Sequence, residues 1–469
     1  MKSEAFTDAR DDAGQPGSHG DSFAHYQAAV ARLEARLNLV GSADRSTGAL
    51  RIRANRRLER LRAYLAFIGS PEADLPVVHV TGTSGKGSTA TGIAALLRSG
   101  GLRVGLATSP YLQAATEKLQ IDGRLIDGSD VLRELDALEV DERRWLDADR
   151  AASPLTYGEI WPALMLRWFA RQGVDCAVVE VAAGGRFDPT NVVRPVATVV
   201  TTIGPDHLAS LGPTLTDVAW HKAGIFKPGA LAVTGEPPGP SFAILRDEAA
   251  RVGAPLLAID PADAKEGADE PVFHQVNAAL ALAVVRALHA RSLLPMVEPD
   301  PAVLIEARLP GRLESMPQDG GPPVLLDGAH NPDKIAALTA ELARRRENGE
   351  PRPVVLLGVL ATKDIRGMVR TLLPEAAAII TTEAGVLGKR PAPAAALANA
   401  IRSVGFTGPV AAEPDPMAAM AQARALALAE GRGVLATGSL FLVGRLRATW
   451  FPTNEIVRQQ TPWPERRPA

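Results

Sequence analysis

The feature that most constrains this chain is a glycine-rich loop between a predicted strand and a predicted helix. Residues 76–80 (PVVHV) form a short apolar run, and the helix-period segment STATGIAALLRSGG begins at Ser88. Between them lies Gly82-Thr83-Ser84-Gly85-Lys86-Gly87-Ser88. Glycines let backbone N–H groups turn inward around phosphate oxygens, and a lysine adds a point charge for the terminal phosphates. The loop therefore predicts an ATP site, with Ser88 or Thr89 able to reach Mg²⁺.

The spacing of this loop differs from the standard Walker A motif. That motif has four residues between its first glycine and Gly-Lys-[Ser/Thr]. Only Thr83 and Ser84 separate Gly82 from Gly85 here, and Gly87 follows the lysine. The difference disfavours GTPases and simple kinases. The alternative is a tight strand–helix turn with an incidental lysine, and it is disfavoured because strand, lysine, hydroxyls and helix all occupy their expected places.

Composition limits the classes of protein that can carry such a loop. The formal net charge of −2 gives no indication of nucleic-acid binding. The single cysteine, Cys176, lies in an apolar run, which excludes a disulfide framework and a zinc site built on several cysteines. No stretch approaches the roughly 20 apolar residues of a membrane span, and the N-terminal residues lack the apolar core of a signal peptide. We expect a cytoplasmic protein with neither membrane nor nucleic-acid partners.

Apolar runs alternate with helix-period segments along most of the chain, which is typical of parallel sheets covered by helices. The predicted strands beyond the loop are 103–107, 174–182, 197–203, 323–327, 353–359, 376–382 and 433–438. The fold class is therefore predicted to be α/β, with an N-terminal P-loop ATPase domain containing a mainly parallel sheet and a smaller, Rossmann-like C-terminal domain. A Pro-rich stretch at 295–322 is a plausible linker. The predicted boundaries are a disordered tail at 1–22, an ATP-binding domain at 23–308 and a C-terminal domain at 309–469.

A set of longer motifs follows the loop in a fixed order. They are TSPYL (108–112), EVAAGGRFDPTN (180–191), DHLASLGPT (206–214), HKAGIFKPG (221–229), HQVNAALA (274–281), PGRLE (310–314), DGAHNP (327–332) and TGSLFLVG (437–444). Together with GTSGKGST they resemble the Mur ligase superfamily, and most closely the branch that contains folylpolyglutamate synthase and dihydrofolate synthase. The resemblance covers about residues 25 to 450. It implies a monomer that forms an acyl phosphate with ATP and then an amide with L-glutamate.

The resemblance also implies a metal site and a nucleotide site. The implied Mg²⁺ ligands are Ser88, Glu180, His207 and a carbamylated Lys222, for two ions, and K⁺ is an additional ion that the family allows. The implied nucleotide contacts are Gly82 to Thr89, Asn277, Arg312 and Asp327, and the implied catalytic groups are Lys86, Lys222, Arg312 and His330. Considered individually, these residues have ordinary alternatives. Glu180 could be a surface carboxylate at a strand end, His207 a loop or cap residue, and Lys222 a surface lysine.

The implied substrate residues are less specific. Ser109, Tyr111 and Tyr157 are candidates for the pterin or folate side, together with the segment EKLQIDGRLI (117–126), because tyrosine can both stack on a heterocycle and donate a hydrogen bond. Packing is the alternative for each of the three. Lys363 and Asp364 match a pair that the family places near the amino-acid substrate. A Lys-Asp pair that opens a helix is also often only a cap.

Several positions depart from the family pattern and leave the acceptor open. They are Ser84, Tyr111, Ala182-Ala183, Pro189, Trp220-His221 and Thr362. Three hypotheses follow: a ligase for dihydropteroate or a reduced folate, a ligase for a carboxylate other than a folate, and a nucleotide-binding protein without ligase activity. Lys86, Glu180, His207 and Lys222 together argue against the third. The number and linkage of the glutamates stay open.

Overall fold

The computed structural model describes residues 19–36, 47–205, 208–260, 272–317, 320–385 and 389–465. These residues form two α/β units, each built around its own sheet, which confirms the predicted α/β class. Most of the predicted tail, residues 1–18, lies outside the described residues, and the first helix begins at His19. No described helix is long and apolar enough to cross a membrane.

The first unit contains an eight-stranded sheet. Its strands are β1 (Val77–Thr81), β2 (Val104–Ala107), β3 (Leu119–Ile121), β4 (Arg124–Leu125), β5 (Cys176–Glu180), β6 (Pro195–Val200), β7 (Leu231–Thr234) and β8 (Leu256–Ala258). Their order across the sheet is β4-β3-β2-β5-β1-β6-β7-β8. Pairing is parallel from β2 to β8, whereas β3 and β4 add an antiparallel edge. Residues of β1 and β5 are buried throughout, as expected for central parallel strands covered on both faces.

Nine helices of the described chain cover this first sheet or pack beside it. They are α1 (His19–Ala35), α2 (Thr47–Phe67), α3 (Lys86–Ser99), α4 (Gly128–Ala148), α5 (Tyr157–Gln172), α6 (Leu208–Leu211), α7 (Leu215–Ala223), α8 (Pro240–Val252) and α9 (Val272–Ala290). Side chains of α3 and α9 share a buried core with β1, β2 and β5. Residues of α1, α2 and α5 pack in a second core on the other side.

The second unit contains a six-stranded sheet. Its strands are β9 (Glu314–Ser315), β10 (Val324–Leu326), β11 (Val354–Leu357), β12 (Ala378–Thr381), β13 (Val410–Ala412) and β14 (Val434–Thr437), in the order β13-β12-β11-β14-β10-β9. Only β9 is antiparallel to its neighbour within this described sheet. Its helices are α10 (Pro332–Glu347), α11 (Ile365–Leu372), α12 (Ala394–Ser403), α13 (Pro416–Ala429), α14 (Leu440–Arg447) and α15 (Thr453–Gln459).

The topology determines where the site lies. Strands β1 and β5 are parallel neighbours, with Val80 opposite Glu180, so the segments that follow them emerge at the same edge of the sheet. The carboxyl ends of such strands are where open α/β sheets place ligands. The glycine-rich loop and Glu180 therefore meet because of the strand order, although about 95 residues of sequence separate them.

Candidate active site

Two glycines and two lysines determine the conformation of the loop after β1. Gly85 has φ +80° and precedes α3, and a side chain there would overlap Oδ1 of Asn277. The carbonyl of Gly82 accepts a hydrogen bond from Nζ of Lys86 at 3.1 Å and another from Nζ of Lys222 at 2.7 Å. Both ammonium groups consequently lie at the same loop carbonyl. This arrangement concentrates positive charge at the start of α3, where the helix dipole also favours anions.

The segment that follows β6 fixes the other side of the loop. The amide of Thr83 donates to the carbonyl of Thr202 at 2.8 Å, and the hydroxyl of Thr201 donates to the carbonyl of Ser84 at 2.5 Å. The amide of Gly204 donates to Oγ1 of Thr83 at 2.9 Å. These bonds use the carbonyl of Ser84 and the side chain of Thr83 for structure. They leave the loop backbone after Ser84 as the part available for phosphate.

Glu180 is the last residue of β5 and is buried against this loop. Its Oε2 accepts a hydrogen bond from the amide of Ser109 at 2.9 Å. Burial raises the pKa of the carboxyl, and the charges of Lys86, Arg312 and Lys334 oppose that increase. A Cβ at Gly87 would lie only 3.3 Å from Oε2 of Glu180, so the carboxylate is directly beside the loop. The burial excludes the alternative of an exposed carboxylate at a strand end.

Lys222 lies on α7 and is only 3% exposed. Thr214 caps this helix, accepting a hydrogen bond from the amide of Asp217 at 3.1 Å, which fixes the direction in which the later residues project. The burial of Lys222 and its bond to Gly82 exclude the alternative of an ordinary surface lysine. Its carbamylation stays a prediction.

The predicted metal ligands can be compared with this geometry in part. Ser88 lies in the first turn of α3, and Glu180 ends β5, the strand beside β1, so a hydroxyl and a carboxylate are available at the loop. His207 lies outside the described residues. Within the described ranges, no three His, Cys, Asp or Glu side chains form a cluster that could hold a metal ion. A hard divalent cation that takes part of its shell from phosphate oxygens and water fits this sparse oxygen donor set.

The second unit contributes Arg312 and Asp327 at the boundary between the units. The carboxylate of Asp327 accepts hydrogen bonds from the amides of Leu313 at 2.9 Å and Ala329 at 2.8 Å. Burial raises the pKa of Asp327, and the charge of Arg312 opposes the increase. Asp327 thus ties the backbone beside Arg312 to the end of β10. In this structure Asp327 positions Arg312.

His330 is neutral because of its surroundings. Its Nδ1 lies 2.8 Å from the carbonyl of Gly328, which can only accept, so Nδ1 carries the proton. Nε2 lies 3.4 Å from Nζ of Lys334 and accepts from it. Burial and the charges of Lys334 and Lys363 lower the pKa of His330 well below its usual range. The ring therefore orients Lys334, whose charge also acts on Glu180 across the boundary.

Three predicted nucleotide residues line one cavity of about 200 Å³ at the start of α3. They are Ser88, Asn277 and Arg312, and His274 and Arg308 lie beside them. Asn277 is on α9, and its Oδ1 is 3.5 Å from the hydroxyl of Thr89. The structure therefore brings together residues from the loop, from α9 and from the linker, and their role in binding ATP stays a prediction.

A second cavity of about 420 Å³ lies on the other side of Glu180. Ser109 and Tyr157 line it, as predicted for the acceptor side. Tyr111 does not line this cavity. Its ring packs against the core, near enough to Tyr157 and Tyr26 for their phenolic groups to act on it electrostatically. Burial raises the pKa of Tyr111. The structure therefore favours the packing interpretation for Tyr111.

Lys118 lines this second cavity. Its segment, 117–126, was predicted to lie on the acceptor side, but Lys118 itself was not predicted as a site residue. Its Nζ lies 4.9 Å from the centre of the Trp161 ring and 6.0 Å from that of Tyr157. Burial lowers the pKa of Lys118 to about 8, although the charges of Glu180 and Asp188 oppose the decrease. A single sequence holds no signal for this role because Trp161 and Glu180 become its neighbours only through folding.

The predicted Lys363–Asp364 pair opens α11. Oδ1 of Asp364 accepts a hydrogen bond from the amide of Gly367 at 3.0 Å, which makes this residue the helix cap. Lys363 lies within electrostatic range of His330. A cap role is therefore observed for Asp364, and a substrate role for the pair stays a prediction.

Two segments of this chain match known domain families. Residues 80–235 match the Mur ligase middle domain, and residues 311–440 match the glutamate ligase domain of Mur ligases. The dihydrofolate synthase/folylpolyglutamate synthase of Bacillus subtilis (strain 168) is 32% identical over 353 residues, which cover 69% of this chain and 80% of that protein. The chain belongs to the folylpolyglutamate synthase/dihydrofolate synthase family of Mur ligases. The resemblance inferred from the motifs is thereby confirmed.

Members of this family from other sources extend the comparison. A probable bifunctional folylpolyglutamate synthase/dihydropteroate synthase of Haloferax volcanii is 36% identical over 84% of this chain, but the chain spans only about half (48%) of that protein. The structure of Mycobacterium tuberculosis folylpolyglutamate synthase complexed with ADP superimposes with a TM-score of 0.78 and 28% identity, over 92% of this chain and 99% of that one. A bifunctional family member from Yersinia pestis, complexed with AMPPNP and a Mn ion, gives 0.70 and 29%, over 84% and 93%.

Proposed function

We propose that this chain is an ATP-dependent ligase that joins L-glutamate to a folate-type carboxylate, either dihydropteroate or tetrahydrofolate. One observation carries the proposal. Glu180 and the cationic loop stand between two cavities, one lined by the predicted nucleotide residues and the other by aromatic side chains. A carboxylate in the second cavity would approach a triphosphate in the first from the side on which Lys118 lies. Membership of the family supports the same reading.

The reaction requires two anions to meet. An oxygen of the acceptor carboxylate attacks the γ-phosphorus of ATP, the bond to the β-phosphate oxygen breaks, and ADP leaves. The amine of glutamate then attacks the acyl carbon, loses a proton, and expels inorganic phosphate. Catalysis of such steps depends mainly on positioning and charge stabilisation. Lys86 and Arg312 are suited to neutralise the phosphates, and Lys118 to hold the acceptor carboxylate.

The cofactors that we propose are ATP and two Mg²⁺ ions, with K⁺ as an additional ion. Ser88 and Glu180 would hold Mg²⁺, together with His207 and a carbamylated Lys222 for the second ion. Bound Mg²⁺ supplies charge neutralisation at the phosphates. The bond from Lys222 to Gly82 shows that the unmodified side chain already reaches the loop. We also propose a cytoplasmic monomer with domains at 23–308 and 309–469.

A second candidate function keeps the chemistry and changes the acceptor. Several positions that depart from the family pattern line the acceptor cavity, namely Ala182, Ala183, Pro189 and His221. They favour a ligase for a carboxylate other than a folate. The third hypothesis, a nucleotide-binding protein without ligase activity, is disfavoured because Lys86, Glu180, His207 and Lys222 occur together in this chain.

The experiment that tests the proposal measures ADP release and product mass. Purified protein is incubated with ATP, Mg²⁺, L-glutamate and either dihydropteroate or tetrahydrofolate. We expect ADP release that requires both the acceptor and glutamate, and a product heavier by one glutamate residue. The Lys86→Ala variant is the control and should be inactive. Turnover with an unrelated carboxylate alone would favour the second candidate, and ATP binding without turnover on any acceptor would favour the third.

A further inference from the structure

The start of α10, in the second unit, lies against the segment that holds the glycine-rich loop of the first unit. A Cβ at Gly204 would overlap Oδ2 of Asp333, which is in the first turn of α10. Gly204 is itself bonded to the loop, because its amide donates to Oγ1 of Thr83 at 2.9 Å and its carbonyl accepts from the same hydroxyl at 3.0 Å. The first turn of α10 and the loop are therefore separated only by the backbone at Gly204.

Lys334 is the third residue of α10, and its side chain extends back past the start of the helix. Side chains of an α-helix lean toward its N-terminus. Nζ of Lys334 accordingly lies 3.4 Å from Nε2 of His330, which precedes the helix. The His330 ring is fixed in turn, because its Nδ1 donates to the carbonyl of Gly328 at 2.8 Å. The ammonium group of Lys334 is therefore held at the end of α10 that meets the first unit.

Three cations from different parts of the chain act electrostatically on Glu180. They are Lys86 of the loop, Arg312 of the linker and Lys334 of the second unit. A Cβ at Gly328 would lie 2.6 Å from a terminal nitrogen of Arg312, so the linker arginine lies beside the turn that leads into α10. The charge of Lys334 thus reaches the wall between the nucleotide cavity and the acceptor cavity, where Glu180 stands.

Phosphoryl transfer uses positive charge in two ways. Some cations hold the triphosphate before the reaction, and Lys86 at the loop is suited to that task. During transfer, negative charge is spread over the three oxygens of the group in passage, and a cation that meets those oxygens only at that stage lowers the barrier. Lys334 is placed for this later task, because it approaches the loop from across the boundary between the units.

We infer that Lys334 is a catalytic residue, whose ammonium group donates hydrogen bonds to the oxygens of the phosphoryl group as it passes from ATP to the acceptor carboxylate. In that step the bond from the γ-phosphorus to the β-bridging oxygen breaks while the bond to the carboxylate oxygen forms. In the next step the acyl C–O bond breaks, its electron pair stays on the departing phosphate oxygen, and the proton of the amine passes to water. Lys334 stays protonated throughout. The inference rests on the proposed function, because it concerns the phosphoryl group of the same reaction.

The experiment measures whether Lys334 meets the phosphoryl group itself. Calorimetry gives the Kd of ADP for the full-length protein in the presence of Mg²⁺ and dihydropteroate, with and without aluminium fluoride, which takes the place of a phosphoryl group in transfer. We expect aluminium fluoride to tighten ADP binding to the wild-type protein. Lys334→Met should lose at least about tenfold of that gain, while its Kd for ADP alone changes by less than about twofold. In the ligation assay its kcat should fall by at least about 100-fold, with KM for ATP within about twofold.

Two more variants separate this role from folding. Lys334→Arg keeps the charge, so it should bind ADP with aluminium fluoride more tightly than Lys334→Met does. Arg345→Met removes a cation from the last turn of the same helix, about 16 Å farther along the axis, and should behave as the wild-type protein.

The outcomes distinguish the inference from the proposed function. The inference is wrong if Lys334→Met keeps either the gain with aluminium fluoride or the wild-type kcat, or if the wild-type protein shows no such gain. Weaker binding of ADP alone to Lys334→Met would assign the lysine a structural role instead. In each of these cases ligation by the wild-type protein leaves the proposed function standing. A wild-type protein that ligates neither dihydropteroate nor tetrahydrofolate would refute the proposed function, and the step assigned to Lys334 with it.

Discussion

Arg447 connects three parts of the chain at the boundary between the two units. It is fully buried, and its guanidinium donates to both carboxylate oxygens of Glu314 at 2.8 Å. It also donates to Oε1 of Gln113 in the first unit and to the carbonyl of Pro462, each at 2.7 Å. Glu314 in turn accepts from the amide of Gly311 at 2.7 Å. The linker that carries Arg312 is therefore fixed through one buried ion pair.

Replacing Arg447 with methionine should be strongly destabilising. The change leaves the carboxylate of Glu314 buried without its cation, and breaking such a pair from one side costs about 3–5 kcal/mol. For a cooperative unit of about 150–250 residues, each kcal/mol lowers Tm by about 2–4 °C, so the unit that contains α14 should lose about 10 °C. The linker would also lose its anchor, so KM for ATP should rise more than KM for the acceptor.

Differential scanning calorimetry with and without ADP measures this effect. The matched control is Arg345→Met, because Glu341 receives both Arg345 at 2.8 Å and Arg344 at 2.9 Å and so keeps a cation after the change. We expect a shift of less than about 2 °C for the control. Equal Tm shifts for Arg447→Met and Arg345→Met, or an effect of Arg447→Met on the acceptor KM alone, would contradict this role of Arg447.

Three other outcomes are expected. Gly85→Ala should abolish ATP binding measured by calorimetry, because the φ of +80° and the overlap with Asn277 distort the loop, whereas Gly101→Ala, also at positive φ but with open space around it, should bind normally. Glu180→Gln should lower kcat by at least about 100-fold with little change in Tm, and equal kcat values would contradict its proposed role. The pKa of Lys118 is lowered to about 8, so its charge is lost as pH rises through that value. Acceptor KM should then rise above about pH 8, and Lys118→Arg should remove this dependence, since arginine stays charged. Folding stability should rise over the same interval, because the unfolded lysine still binds a proton there.

The sequence was sufficient for the buried central strands because their signals are local, whereas the short strands β3, β4, β7, β8, β9 and β13 were not predicted. Each predicted strand overlaps an observed one, since short apolar runs bounded by glycine or proline correspond to buried parallel strands. Helix α5 contains Pro162 at its sixth position, so one backbone hydrogen bond of the second turn is absent, while Thr156 and Glu159 form a capping box that stabilises the first turn. The predicted nucleotide residues came from the glycine-rich loop and from separate motifs that contain Asn277, Arg312 and Asp327.

The cavity walls could not be predicted because they depend on distant packing. Lys118 becomes a site residue through its contact with Trp161, and His221 through Phe187 and Arg51. In neither case does one motif contain both the residue and its neighbours. Tyr111 shows the opposite case. It lies in a family motif, yet its ring packs in the core. A motif indicates which segment approaches the site, but the side chains that face the ligand are decided by the tertiary arrangement.

The central claim is that this chain uses ATP to activate a carboxylate, and isotope transfer tests it most directly. Dihydropteroate labelled with ¹⁸O in both carboxylate oxygens is incubated with the protein, ATP, Mg²⁺ and L-glutamate, and the released phosphate is analysed by mass spectrometry. Formation and aminolysis of an acyl phosphate predict one ¹⁸O atom in each phosphate released. ADP formation with unlabelled phosphate, or labelled phosphate that forms equally well with Lys86→Ala, would contradict the claim.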